Sequence, residues 1–326
     1  MRLFAWNPGA SASWLVAWGF FFLGIVQAQE VSLERPLVAK SLLLDVIRAG
    51  DRLVAVGERG HVLLSEDHGK TWIQRVTPTR AMLTAGCSVG GNEMWLVGHD
   101  AVILYSEDGG WTWGEQYRNA DLEMPLLDVW FANKMRGIAV GAYGLCLVTE
   151  DGGATWQRQE VDEEEPHLFG LSAGPDGRLY MAGEFGAIFL STDEGRHWKR
   201  LPSPYEGTFF GVLALQDGTV LVFGLRGNVF RSNDQGETWT SMETGTEAGL
   251  FVAHQAEGGT VRLGGQSGVL LTSHDGGVSF TIGNRGGRNA IGSLLPVGVD
   301  DLVLVGEGGV QLVAASDTKR EESDGE

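Results

Sequence analysis

The sequence predicts an all-β chain folded as a seven-bladed β-propeller. Three observations predict it. An octet recurs six times: SEDHGKTW at 65–72, SEDGGWTW at 106–113, TEDGGATW at 149–156, STDEGRHW at 191–198, SNDQGETW at 232–239 and SHDGGVSF at 273–280. Successive starts lie 41, 43, 42, 41 and 41 residues apart, the period of a four-stranded propeller blade. Eight residues ahead of each octet, a glycine opens a turn tetrad: GERG at 57, GHDA at 98, GAYG at 141, GEFG at 183, GLRG at 224 and GQSG at 265. A seventh tetrad, GEGG at 306, is followed by VQLVAAS where the next octet belongs. Glycine is also abundant, 49 residues against 9 prolines, as expected of many tight turns between short strands.

The elements follow in chain order. Arg2 precedes the apolar run Trp14–Val26, and Val26-Gln27-Ala28 offers small residues at a cleavage point. Thirteen apolar residues fall short of the ~20 a membrane span needs. Residues 1–28 are therefore expected to be an export signal removed after about Ala28, leaving a periplasmic protein that does not itself span a membrane. Blade one then reads as four strands, LLLDVIRA, RLVAVG, HVLLS and TWIQRV, separated by AGD, ERG and EDHGK turns. The pattern repeats to give a single domain over 29–315. The last copy supplies only three strands, so EVSLERP at 30–36 is expected to add the fourth and close the ring, which removes open sheet edges. Residues 316–326, charged and without apolar side chains, are expected to be a disordered tail.

Repetition decides the role of the octets. An Asp beside His68 in SEDHGKTW resembles a reactive cluster, but a catalytic group is needed once and this Asp recurs six times. Asp67, Asp108, Asp151, Asp193, Asp234 and Asp275 are expected to peg the loop between third and fourth strands by accepting its backbone N–H groups. Trp72, Trp113, Trp156, Trp198, Trp239 and Phe280 then cover the sheet. Those loops occupy the rim opposite the tetrad turns, so function is expected on the tetrad face, where the copies disagree. Their interiors are Glu58-Arg59, His99-Asp100, Ala142-Tyr143, Glu184-Phe185, Leu225-Arg226, Gln266-Ser267 and Glu307-Gly308. Arg59, Asp100, Tyr143, Phe185 and Arg226 are the candidate partner-binding residues, joined by Arg285 and Arg288 of the GNRGGRN connector. Along the channel, alignment on the tetrads places Asp45, Thr84, Asp128, Gly170, Gly211, Val252 and Ser293.

Charge and composition narrow the partners. The net charge of −18 becomes −19 once Arg2 is removed with the signal, which disfavours nucleic acid and anionic lipid. No spaced acidic loop or His/Cys cluster points to Ca²⁺ or Zn²⁺, so neither metal nor cofactor is expected. Cys87 and Cys146, set in separate strand patterns, are expected to be free thiols.

The octets resemble the Asp-box (BNR) motif, S/T-x-D-x-G-x-T-W, of sialidase-like propellers. Seven regular copies behind an export signal are similar to the photosystem II stability/assembly factor family. That resemblance covers residues 30–315 and implies a non-catalytic scaffold that binds protein partners while a membrane complex is assembled. It also implies an Arg-rich binding patch, represented here only by scattered Arg59, Arg226, Arg285 and Arg288. The expectation is thus an exported monomer outside its complex, serving a membrane-associated client such as an envelope transporter complex. The alternatives are a sialidase-type glycoside hydrolase, with Asp45 and Asp128 as a carboxylate pair, or a carbohydrate-binding propeller. The hydrolase reading lacks an Arg-Ile-Pro stretch and a Tyr–Glu pair.

Overall fold

The computed structural model describes residues 31–33, 37–283, 287–298 and 301–314, and shows seven antiparallel sheets arranged as the blades of a propeller. Among the described residues six sheets have four strands and the seventh has three. Blade one runs from an inner strand, Leu43–Ala49, through Arg52–Gly57 and Val62–Ser65 to a short outer strand, Ile73–Arg75. The second strand is buried on both faces, since each sheet packs against a neighbour on either side. Hence Leu53 and Ala55 meet blade seven through Leu295, Val303 and Val305, while Val54 and Val56 meet blade two through Met94 and Leu96. The contact between the last blade and the first closes the ring, and Arg48 donates across it to the Pro296 carbonyl at 2.7 Å.

One detail differs from expectation. Residues 31–33 run along blade one, not along the edge of the seventh sheet. Ser32 N–H donates to the Thr77 carbonyl, Thr77 N–H donates to Ser32 Oγ, both at 2.9 Å, and Gln74 caps the Leu33 carbonyl. Ser32 is buried there, which is where its polar groups find partners. Residues 34–36 lie outside the described residues, as do the signal segment and the 316–326 tail.

The six boxes share one hydrogen-bond pattern. In the first, Ser65 Oγ accepts the Gly69 N–H and donates to Asp67 Oδ1, both at 2.9 Å. Asp67 also takes the Thr71 N–H at 2.8 Å and the Thr71 hydroxyl at 2.6 Å. The same set recurs at Asp108, Asp151 and Asp234, at Asp275 with Ser279 in place of Thr, and at Asp193 with His197 in that place. The indoles of Trp72 and Trp113 donate to carbonyls of their own boxes, and that of Trp239 to the Pro202 carbonyl. The N–H groups of Trp156 and Trp198 are enclosed without a partner among the described residues, so in those boxes the ring contributes packing. Box-face contacts continue between blades: Arg136, itself buried, donates to the Glu194 carbonyl of the next box at 3.0 and 3.1 Å.

Two expected outcomes follow from this geometry. Ser65 is 1% exposed, so Ser65→Ala strands the Gly69 N–H and should lower stability by about 1–2 kcal/mol, read from urea unfolding. The box aspartates should also set the acid limit. Thr71 holds Asp67 down at about 2, and Thr238 does the same for Asp234. A depressed carboxylate stabilises the fold above its unfolded value near 4 and loses that contribution as pH falls towards 2. Ellipticity should therefore be steady for these groups above pH 4 and decline below it, whereas a plateau down to pH 2 would contradict the assignment.

Candidate functional site

The tetrad turns build one face of the disc. In six blades the third tetrad residue is a non-glycine in the left-handed region: Arg59, Asp100, Tyr143, Phe185, Arg226 and Ser267, with φ between 53° and 59°. Such conformations cost free energy and persist only where the surrounding structure enforces them. Here the turn projects each of these side chains from its tip. Tyr143 is 54% and Phe185 63% exposed, an unusual state for large aromatic rings. Arg59 is exposed beside Glu58, and Asp100 lies 3.9 Å from Arg118. Arg226 and Arg288 are solvent-exposed, while Arg285 lies outside the described residues.

A second layer comes from the inner strands. Every blade has a register shift at the start of its inner strand, a bulge that re-aims one side chain at the tetrad end of the channel. The residues at this position are Leu44, Thr84, Leu127, Phe169, Phe210, Phe251 and Gly292. Three successive blades therefore present phenylalanine. Phe169 and Phe210 meet edge to face at 5.4 Å, as do Phe210 and Phe251 at 5.4 Å. His167 stands 6.2 Å from Phe169, and Tyr143 packs edge-on to His167 at 4.5 Å. Five rings thus form a continuous arc across blades three to six. Leu225 at 39% and Phe251 at 38% exposure extend its apolar surface, and Glu184 places a carboxylate 3.9 Å from the His167 ring. At the same bulge positions the opposite side of the mouth carries Gly292, Leu44 and Thr84.

Of the expected residues, the structure sets Tyr143 in the arc and Phe185 on the adjacent turn. Arg59 and Asp100 lie on the other side of the face. His167, Phe169, Phe210 and Phe251 were missed. Their signal was the recurrence of Phe at 169, 210 and 251, two intervals of 41 residues. Most of the aligned channel positions fall one residue after the bulge.

The channel carboxylates are spoken for by the fold. Asp45 accepts the N–H groups of Val46 and Gly86 at 2.8 and 2.9 Å, and the Ser293 hydroxyl at 2.8 Å, so it links blades seven, one and two. Asp128 accepts from Val129 and Leu171 at 2.8 and 2.7 Å, linking blades three and four. Neither presents a free oxygen pair to a substrate. Burial pushes Asp128 up to about 7, and raises Asp45 in the same direction. A raised carboxyl binds its proton more tightly when folded, so Asp128 should make stability fall as pH rises from about 4 to 7, with no further change above. The stability difference between native protein and Asp128→Asn should shrink over that window in urea titrations, and a constant difference would refute the shift. Both cysteines are free; burial pushes Cys146 up to about 12 and raises Cys87 as well, which makes them poor nucleophiles. Among the described residues no His, Cys, Asp or Glu group has the geometry to hold a metal ion.

Comparison with known proteins fits this architecture. The profile of the photosynthesis system II assembly factor YCF48 family matches residues 30–122 and 115–264, most of the chain. The chain belongs to this family. A solved structure described as YCF48 bound to a D1 peptide superposes with a TM-score of 0.70 at 20% identity, covering 87% of this chain and 96% of that one. YCF48 from Cyanidioschyzon merolae gives 0.69 at 18% identity, covering 86% and 98%. The WD40 propeller of Doa1 gives 0.68 at 12% identity, covering 90% and 97%. At these identities the structural likeness speaks for the fold. No curated protein matches the sequence. This YCF48-family member carries an aromatic arc on its tetrad face.

Proposed function

We propose that this chain is an exported, non-catalytic scaffold that binds an extended segment of a protein partner on its tetrad face. It acts during assembly or stabilisation of a membrane-associated complex, with an envelope transporter complex as the client suggested by analogy. The observation that carries this is the aromatic arc from Tyr143 to Phe251, flanked by exposed Phe185 and Leu225. Exposed aromatic rings around a concave mouth are the usual anchors of a protein interface. Glu184 and the net charge of −18 favour a segment whose apolar residues are flanked by Lys or Arg. The family's description as an assembly factor and the peptide complex of a structural neighbour support the same reading.

A photo-crosslinking residue placed at Phe185, compared with one at exposed Lys70 on the box face, tests it in the producing cell. Adducts to one exported or membrane protein from position 185 and none from position 70 are expected. Adducts from position 70 alone would overturn the choice of face. Turnover of fluorogenic sialosides by the purified protein would overturn the non-catalytic reading.

A further inference from the structure

The aromatic arc offers a partner side chains, while the backbone around it is already engaged. Where the chain enters the inner strands of blades four, five and six, the carbonyls of His167, Thr208 and Gly249 accept N–H groups of the tetrad turns. The donors are Glu184, Leu225 and Gln266, at 2.9, 3.0 and 2.8 Å. Further along the channel the N–H groups of Leu171 and Ala214 are held by Asp128 and by the Ser172 hydroxyl, at 2.7 and 3.0 Å. A partner strand pairing in the usual way would have to displace these bonds. A helix fits no better, because it is straight and the rings follow a curved rim across blades three to six.

The rings themselves form a ridged surface. Tyr143 and His167 cross at 77°, Phe169 and Phe210 at 81°, and Phe210 and Phe251 at 71°. A row of rings set edge to face presents electron-rich faces beside neighbouring edges, with shallow notches between them. Phe185 and Leu225 stand outside this row, because their turns join second and third strands, and both are exposed. A proline ring is compact and apolar, and its C–H groups beside the amide nitrogen are polarised towards such π faces. The polyproline II helix is also extended before it binds, so recognition through side chains alone costs it little ordering. Its carbonyls point outward, where the Tyr143 hydroxyl on an exposed turn tip can donate to one. Charge sets the flank. Glu184 lies 3.9 Å from the His167 ring on blade four, whereas blade five carries Arg226 at its tip, so a cationic residue belongs at the blade-four end.

We propose, on the reading of the arc as the partner site, that its occupant is a proline-rich segment in the polyproline II conformation. Its prolines sit in the notches between the rings, and an adjacent Lys or Arg pairs with Glu184.

Calorimetric titration of the purified protein with two synthetic peptides tests this. One carries an arginine followed by three Pro-Pro-Leu repeats, the other the same arginine with three Gly-Ser-Leu repeats. The proline peptide should bind about tenfold more tightly than the flexible one. Phe185→Ala should weaken it about 30-fold, and Tyr143→Phe, which removes only the hydroxyl, about fivefold. Equal binding of the two peptides, no binding of the proline peptide, or binding indifferent to both substitutions would overturn the proposal. In the producing cell, the adduct formed from position 185 should map to a partner segment with prolines next to Lys or Arg. An adduct in a proline-free segment would overturn the proline assignment alone, with the tetrad face still the partner site. The absence of any adduct from position 185 would remove both.

Discussion

Gly224→Ala is expected to destabilise the protein by about 3 kcal/mol, a large fraction of the stability of an ordinary domain. The residue opens the tetrad of blade five, and its φ of 177° lies outside the left-handed region. The obstacle is space. A Cβ there would lie 2.3 Å from the Thr208 carbonyl oxygen and 2.8 Å from Phe209 Cα. Both are backbone atoms, and the same Thr208 carbonyl is tied to the Leu225 N–H at 3.0 Å. Relief therefore requires moving the connector and the first residue of an inner strand whose Phe209 is fully buried. Every tetrad glycine meets the preceding connector in this way, from 1.9 Å at Gly306 to 2.5 Å at Gly183. Gly258→Ala, with nothing within 4 Å, is the control and should stay within about 0.5 kcal/mol. The two variants should differ clearly in urea midpoint, and equal midpoints would dispose of the steric account.

That contact also shows why the fold was so legible. The tetrad glycine is needed in every blade for one physical reason, and the box Asp in six blades for another, so both survive as a readable period. Blade one's strands fall within two residues of the segments read from LLLDVIRA, RLVAVG, HVLLS and TWIQRV. Closure was less legible. EVSLERP has the composition of an edge strand, but composition does not choose which sheet it joins, and Ser32 finds its partners at Thr77.

The candidate site was half visible. Tyr143 and Phe185 stand out because a turn tip has no structural use for an aromatic ring. Phe169, Phe210 and Phe251 did not, because each follows a buried Leu or Phe at a strand start and reads as ordinary alternation. The bulge that turns them to the channel mouth is a backbone feature without a residue signature.

Phe185→Ala should weaken binding of the partner segment by about 2 kcal/mol, or about 30-fold in Kd, without changing thermal stability. The two halves of this expectation rest on different facts. Phe185 is 63% exposed and outside the ring-to-ring arc, so truncating it removes little internal packing. Its φ of 54° is imposed by the turn and is tolerated by alanine no worse than by phenylalanine. On the proposed reading, an exposed aromatic ring beside the arc is an anchor for the partner, which is the role this substitution tests. Phe210→Ala would be a poorer probe, because Phe210 touches both Phe169 and Phe251 and its loss would loosen the mouth. Arg59→Ala, on the opposite side of the face, should leave affinity within about twofold, as an exposed residue outside the contact does. Calorimetric titration of the crosslinked partner's segment into the three proteins decides the matter. Equal affinities for native and Phe185→Ala would move the interface off blade four. A loss with Arg59→Ala instead would place it on the scattered arginines.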